Sequence, residues 1–135
     1  MTRTFTSAVR VGAGLVALGG FLAAASAAEA AQAGDAKNGA EVFAETCGPC
    51  HSADKGAPNK IGPNLFGVVG RKAGTYPGFS YSSAMASSGI VWTDAKLDAY
   101  IAAPSTVVPG NKMPFAGITN TNQRADLIAY LNTLK

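Results

Sequence analysis

The chain has 135 residues, 47% hydrophobic and 14% charged, and its 11 basic against 8 acidic side chains leave a formal charge of +3. That length holds one small domain beside any targeting segment, and so slight a positive balance, with no basic stripe, excludes a nucleic-acid binder. Two cysteines and one histidine exclude a disulfide framework and fall short of the four ligands that a structural zinc site wants.

The amino terminus reads as a targeting segment. Arg3 and Arg10 form a positive n-region, Val11 to Ala28 is uncharged and rich in Ala, Gly, Leu and Val, and Ala31-Gln32-Ala33 is a small-residue cleavage site. The pattern predicts a signal peptide over 1–33, cleaved after Ala33, and an exported domain over 34–135. The competing reading is an uncleaved membrane anchor. Its eighteen uncharged residues barely approach the ~20 needed to span a bilayer, and their Ala and Gly content favours export.

The segment Gly34 to Lys135 contains twelve glycines and all seven prolines. Such loop content leaves a modest core for a domain that must still offset the entropy of folding, so a buried group from outside the chain is expected to complete it. Asp35 is a suitable N-cap for a helix running to about Thr46. Gly39 and Phe43 share a face of that helix, with Ala36 and Val42 beside them. Glycine at this position costs roughly 1 kcal/mol against alanine, which predicts close approach of another helix.

That first helix leads into Cys47-Gly48-Pro49-Cys50-His51, the C-x-x-C-H attachment pattern of a c-type haem. Cysteines three apart lie on one face of a helical turn, so both sulfurs can reach the two vinyl groups of one porphyrin and form thioethers. The imidazole that follows is carried beneath the ring, where it can ligate the iron as the proximal ligand. A thioredoxin-like dithiol is the main alternative, but such a site follows a buried strand, and Gly34 to Thr46 reads as helix. A structural disulfide would close a loop too small to stabilise much.

From the motif to residue 90 the chain is punctuated by Pro58, Gly62-Pro63, Gly67, Gly70, Gly74 and Pro77-Gly78, and reads as loops without strand alternation. A short helix is expected near Ser82 to Ser87, closed by Gly89 as a left-handed cap. Thr93 then caps a helix with Leu97, Tyr100 and Ile101 on its apolar face, stopped by Pro104. At the carboxyl end Asn120 and Gln123 resemble a capping box, and Leu127, Ile128, Leu131 and Leu134 repeat at helical spacing with Tyr130 alongside. This last helix is expected to cross the first where Gly39 meets Tyr130.

With His51 the single histidine, bis-histidine ligation is excluded, and the sixth iron position falls to a methionine, another weak ligand, or none. Beyond the signal segment only Met85 and Met113 remain. Met85 lies in the short polar helix, where a methionine usually fills the core. Met113 lies in the loop Val107 to Gly117, rich in proline and glycine, and a loop can bring one side chain to a metal. The balance favours Met113 over Met85.

Several further stretches carry a resemblance: Gly62-Pro63-Asn64-Leu65, Gly70-Arg71-Lys72, Pro77-Gly78-Phe79-Ser80-Tyr81, Gly89-Ile90 with Trp92, Pro109 to Met113, Phe115 to Ile118, and Asp126 to Leu131. Together with the haem motif they make Gly34 to Lys135 similar to a class I cytochrome c of the mitochondrial type and its short bacterial relatives. The resemblance implies an all-α fold of four to five helices and loops around one covalent haem c, with the terminal helices packed together. It implies that His51 and Met113 ligate the iron and that the Pro63 carbonyl holds the proximal imidazole. It further implies that Arg71, Tyr81 and Trp92 surround the propionates and that Tyr100 hydrogen-bonds the ligand sulfur. The chain departs from the pattern at Asn111, where threonine is common, and at Met85, where asparagine often stands. Ser105 and Thr106 replace a pair of lysines.

The resulting expectation is a soluble, monomeric, non-enzymatic one-electron carrier in the periplasm. It would shuttle electrons from a quinol-oxidising complex or a periplasmic dehydrogenase to a terminal oxidase or reaction centre, and take no nucleic acid as partner. The rival class is a c-type haem peroxidase or gas sensor, which needs an open or labile sixth position and usually distal acid/base groups. Nine basic and seven acidic residues remain after the signal segment, a surplus that two haem propionates would roughly cancel. Lys60 and Lys112 stay at the expected haem edge, with Phe115 and Ala116 as candidate apolar contacts.

Overall fold

The computed structural model describes residues 33–135, and the expected signal segment, Ala33 apart, lies outside the described residues. Asp35 opens the first helix, α1 (Ala36–Val42), its carboxylate accepting the Lys37 and Asn38 amides, as an N-cap should. The helix does not stop at Thr46 as regular α-helix. It widens into a π-helical turn, Phe43–Cys47, in which the Gly48 N–H donates to the Phe43 carbonyl at 2.7 Å. Such a turn inserts one extra residue into the helical repeat, a distortion common at functional sites. Here it rotates the haem motif relative to α1.

After the loops come α2 (Ser83–Ala86), α3 (Asp94–Ala102), α4 (Pro104–Val107) and α5 (Thr121–Leu131). Ser82 and Thr93 cap α2 and α3 through their hydroxyls, and Asn120 caps α5 by accepting the Asn122 and Gln123 amides. Gly89 takes the left-handed conformation at φ 68°, two residues beyond the cap of α2 at Ser87. The expected stop at Pro104 is also a start. Pro104 both ends α3 and opens the further short helix α4, since a proline at the first helical position gives up a donor the helix would leave unpaired anyway.

Helices α1 and α5 pack directly on each other. At Gly39 a side chain would collide with the Asp126 carbonyl and come within 2.8 Å of Tyr130 Cβ, so the predicted crossing is where the glycine stands. The Phe43 and Tyr130 rings meet beside it at 5.3 Å between centroids, and the Asp35 amide donates to Asp126 Oδ1 at 2.7 Å. Leu127, Ile128 and Leu131 of α5 are buried together with Leu97 and Tyr100 of α3, each contributing roughly 1.5–3 kcal/mol of apolar burial. Arg124 of α5 pairs with Asp98 of α3 at 2.7 Å. Among the described residues the sole β-type pairing is an isolated bridge between Lys72 and Val91, and no helix is long and apolar enough to cross a membrane.

Candidate haem site

Between the helices and the long loops lies a cavity of about 320 Å³, within the ~300–1,000 Å³ of small-molecule and cofactor sites. All nine residues singled out from the sequence line it: Cys47, Cys50 and His51 from the motif, Pro63, Arg71, Tyr81, Trp92 and Tyr100 from the middle of the chain, and Met113 from the late loop. Leu97, Leu127 and Leu131 supply an apolar floor. The packing of α3 and α5 therefore builds one side of the cavity as well as the core.

The His51 side is fixed by backbone groups. Nδ1 lies 2.7 Å from the Pro63 carbonyl oxygen, and because a carbonyl can only accept, Nδ1 carries the proton and Nε2 keeps its lone pair for a metal. Gly62 closes against the ring: a Cβ there would lie 2.7 Å from Nδ1 and 2.9 Å from Nε2. Burial above all holds the imidazole pKa below its ordinary value, with the Pro63 hydrogen bond opposing and the Lys60 charge adding to the fall. A neutral imidazole is the form that binds iron.

Burial first, and the neighbouring Cys50 second, push the Cys47 thiol up to about 11. A redox dithiol needs the opposite shift, toward thiolate. A neutral Cys47 thiol facing an apolar cavity suits thioether attachment instead. Two sulfurs, an imidazole with Nε2 free and apolar walls therefore fit a covalent haem.

Arg71 is directed by bonds from its guanidinium to the Phe66 carbonyl at 3.1 Å and the Asn64 carbonyl at 3.0 Å, and stacks over the Tyr76 ring at 4.6 Å. Trp92 is buried and stacks on Tyr100 at 4.9 Å. Its backbone is clipped to the Arg71 strand of loop, the Trp92 amide donating to the Arg71 carbonyl at 2.9 Å and the Gly70 amide to the Trp92 carbonyl at 2.9 Å. Desolvation raises the Tyr81 phenol, and pushes Tyr100 up to about 12, so both remain protonated donors near neutrality.

Four residues act at the site in ways the sequence did not reveal. Gly62 leaves room for the imidazole. Asn64 is fully buried and ties the loop to the Asp54 and Ala57 carbonyls at 2.8 and 2.9 Å while accepting the Phe66 amide at 2.8 Å. Lys60, expected at the haem edge, donates through Nζ to the Gly48 carbonyl at 2.8 Å and the His51 carbonyl at 3.3 Å. Asn111 bonds the backbone around Met113. The Gly-Pro-Asn-Leu stretch pointed to Gly62 and Asn64, and the Pro109 to Met113 stretch to Asn111, but neither showed which groups these residues meet. Met85 is buried and also borders the cavity.

The cytochrome c family model matches residues 36–135. The chain belongs to the cytochrome c family. It is 48% identical over 102 residues to cytochrome c of Euglena viridis, covering 76% of this chain and 99% of that one. Cytochrome c2 of Rhodopila globiformis is 50% identical over 102 residues, covering 76% and 95%. Among solved structures, cytochrome cH from Methylobacterium extorquens superposes with a TM-score of 0.69 at 44% identity, over 74% of this chain and 99% of its own. The class I cytochrome c fold is thus established, and this cytochrome carries covalent haem c on Cys47 and Cys50. Membership of the cytochrome c family supports a role in electron transfer. Nothing in these likenesses supports the peroxidase or gas-sensor alternative.

Proposed function

We propose that this cytochrome is a periplasmic one-electron carrier whose iron is ligated by His51 Nε2 and Met113 Sδ. The observation that carries the reading is the 2.7 Å contact between His51 Nδ1 and the Pro63 carbonyl at the wall of a cavity that Met113 also lines. Haem c supplies an iron that changes oxidation state by one electron. The protein's residues do the rest. Pro63 fixes the tautomer and orientation of His51 and raises its basicity. Met113 would supply a thioether ligand to the iron and so raise its potential, which suits electron transfer over oxygen activation. The apolar floor excludes water, so the charge change meets little solvent reorganisation. Arg71, Tyr81 and Trp92 serve the propionates, and Tyr100 serves the Met113 sulfur.

Export to the periplasm follows from the Arg3 to Ala33 pattern, with cleavage after Ala33 and a monomeric domain over 34–135. The donor is a quinol-oxidising complex or a dehydrogenase, and the acceptor a terminal oxidase or a reaction centre. Docking draws little on steering by lysines, because the nine basic and seven acidic residues beyond the signal segment leave a surplus that two haem propionates would roughly cancel. Phe115 and Ala116 beside Met113 offer apolar contacts instead, helped by Ile61, which is 74% exposed and borders the cavity. Stopped-flow oxidation of the reduced holoprotein by an isolated cytochrome oxidase, across a range of ionic strength, tests this. Second-order transfer with a shallow salt dependence is expected. Failure to reduce the oxidase contradicts the carrier role toward that acceptor, and a steep fall with salt contradicts the apolar docking.

A further inference from the structure

We propose that Asn111 is the positioning residue that holds Met113 in place, and so sets how readily another ligand displaces that methionine from the iron; this rests on Met113 being the sulfur ligand. The side-chain amide of Asn111 bridges the loop at two points. Nδ2 donates to the Val108 carbonyl at 2.9 Å, and Oδ1 accepts the Met113 amide at 2.8 Å. The residue's own N–H donates to the same Val108 carbonyl at 3.1 Å. One side chain thereby closes the turn and fixes the backbone that carries the sulfur.

Little else could perform this task. Pro109 and Pro114 bring no N–H to the loop, and Gly110 between them, at φ 86°, adds freedom rather than restraint. Among the described residues, no other side chain bonds the backbone between Val108 and Gly117. The remaining local backbone bond, Phe115 N–H to the Met113 carbonyl at 2.9 Å, lies beyond Met113 and does not tie it back to α4. The next anchor is Ile118, whose N–H donates to the Ile101 carbonyl at 2.9 Å. An amide suits the position because it offers a donor and an acceptor at once. The threonine common here in similar chains offers one hydroxyl, which can mimic the turn to Met113 but is too short to span both sites in this way.

The test uses the ferric holoprotein and imidazole as the competing ligand, following loss of the far-red sulfur-to-iron band by stopped flow. Asn111→Ala is expected to speed displacement about tenfold, the factor that one to two lost hydrogen bonds correspond to. Asn111→Ser, whose hydroxyl can still accept the Met113 amide, should recover part of the slow rate. Asn132→Ala removes a comparable pair of side-chain bonds, to Asp94 and Ile128, and should leave the rate within twofold. Asn111→Ala within twofold of the parent, or Asn132→Ala accelerating as much, overturns the inference while the ligand assignment stands. Should Asn111→Ala yield no holoprotein, Asn111→Ser decides alone: a rate two- to tenfold above the parent supports the role, and the parent rate overturns it. Absence of the far-red band from the parent protein would overturn the Met113 assignment and this inference with it.

Discussion

The two walls of the haem cavity are fastened in different ways. The wall from Cys47 to Leu65 is cross-linked repeatedly: His51 to Pro63, the Gly62 amide to the Cys50 carbonyl at 2.8 Å, the Leu65 amide to the Ser52 carbonyl at 2.9 Å, Lys60 to two carbonyls, and Asn64 to both ends of the Asp54–Ala57 turn. The wall from Val108 to Phe115 is held through one side chain. Redundant bonding makes a ligand's position part of the fold, so it cannot be disturbed without cost to stability. A single local clamp makes it a separate, softer equilibrium. Changes on the His51 wall should therefore appear in folding, and changes on the Met113 wall in ligand exchange.

The sharpest break in that contrast is expected at Gly62. A methyl group there would overlap the imidazole, whose position the thioethers and the Pro63 carbonyl both dictate, so Gly62→Ala should cost more than ~3 kcal/mol. Holoprotein yield and the denaturant midpoint would register the loss, and a parent-like midpoint would mean the ring has room to move. Asn64→Ala comes next. It removes a fully buried amide side chain that bonds two part-buried carbonyls and one backbone amide and should cost about 2–3 kcal/mol, with the far-red band intact while the protein is folded.

A pH dependence follows from His51. Its folded-state pKa is lowered from 6.5, and iron ligation acts in the same direction, so below that value the unfolded chain takes up a proton that the folded one refuses. Stability should fall as pH drops from about 6.5 toward the lowered folded value, by at most ~1.4 kcal/mol per pH unit from this group. Denaturant titrations between pH 7 and 5 would show it, and a stability that rises on acidification over that range would contradict it. The smallest change is expected for Lys60→Met. Losing two bonds to carbonyls from an exposed side chain should cost under ~1 kcal/mol. Removing a positive charge beside the His51 backbone should also lower the reduction potential slightly, since the oxidised iron is the more positive state. Spectroelectrochemistry would resolve the sign.

The same contrast explains what was legible in the sequence. Helical spacing disclosed α1, α3 and α5, and the bare glycine at position 39 disclosed the crossing of α1 with α5, because close approach leaves a mark in residue size. The haem motif disclosed Cys47, Cys50 and His51, the loop around Met113 favoured that methionine, and the resemblance to class I cytochromes c implied the other side chains that line the cavity. Less legible was the π-helical turn at Phe43–Cys47, which depends on how α1 docks rather than on any residue in it. Helix α4 was hidden because Pro104 reads equally as a stop and as a first helical residue. The hydrogen bonds of Lys60 were not legible because a long flexible side chain carries no sequence sign of whether solvent or a backbone carbonyl takes its ammonium group. The dual role of Asn111 was invisible for a related reason: an asparagine in a turn is expected to bond nearby backbone, but which groups it reaches depends on the path of the loop.

The central claim is that the iron sits between His51 and Met113, one ligand on each wall. The most direct test is the far-red sulfur-to-iron band of the ferric protein in two single variants, Met113→Ala and Met85→Leu. Both methionines border the cavity, so either sulfur is a candidate by position alone. The account predicts that Met113→Ala abolishes the band and leaves the haem covalently attached, while Met85→Leu keeps it. A band that survives Met113→Ala and disappears in Met85→Leu would contradict the account.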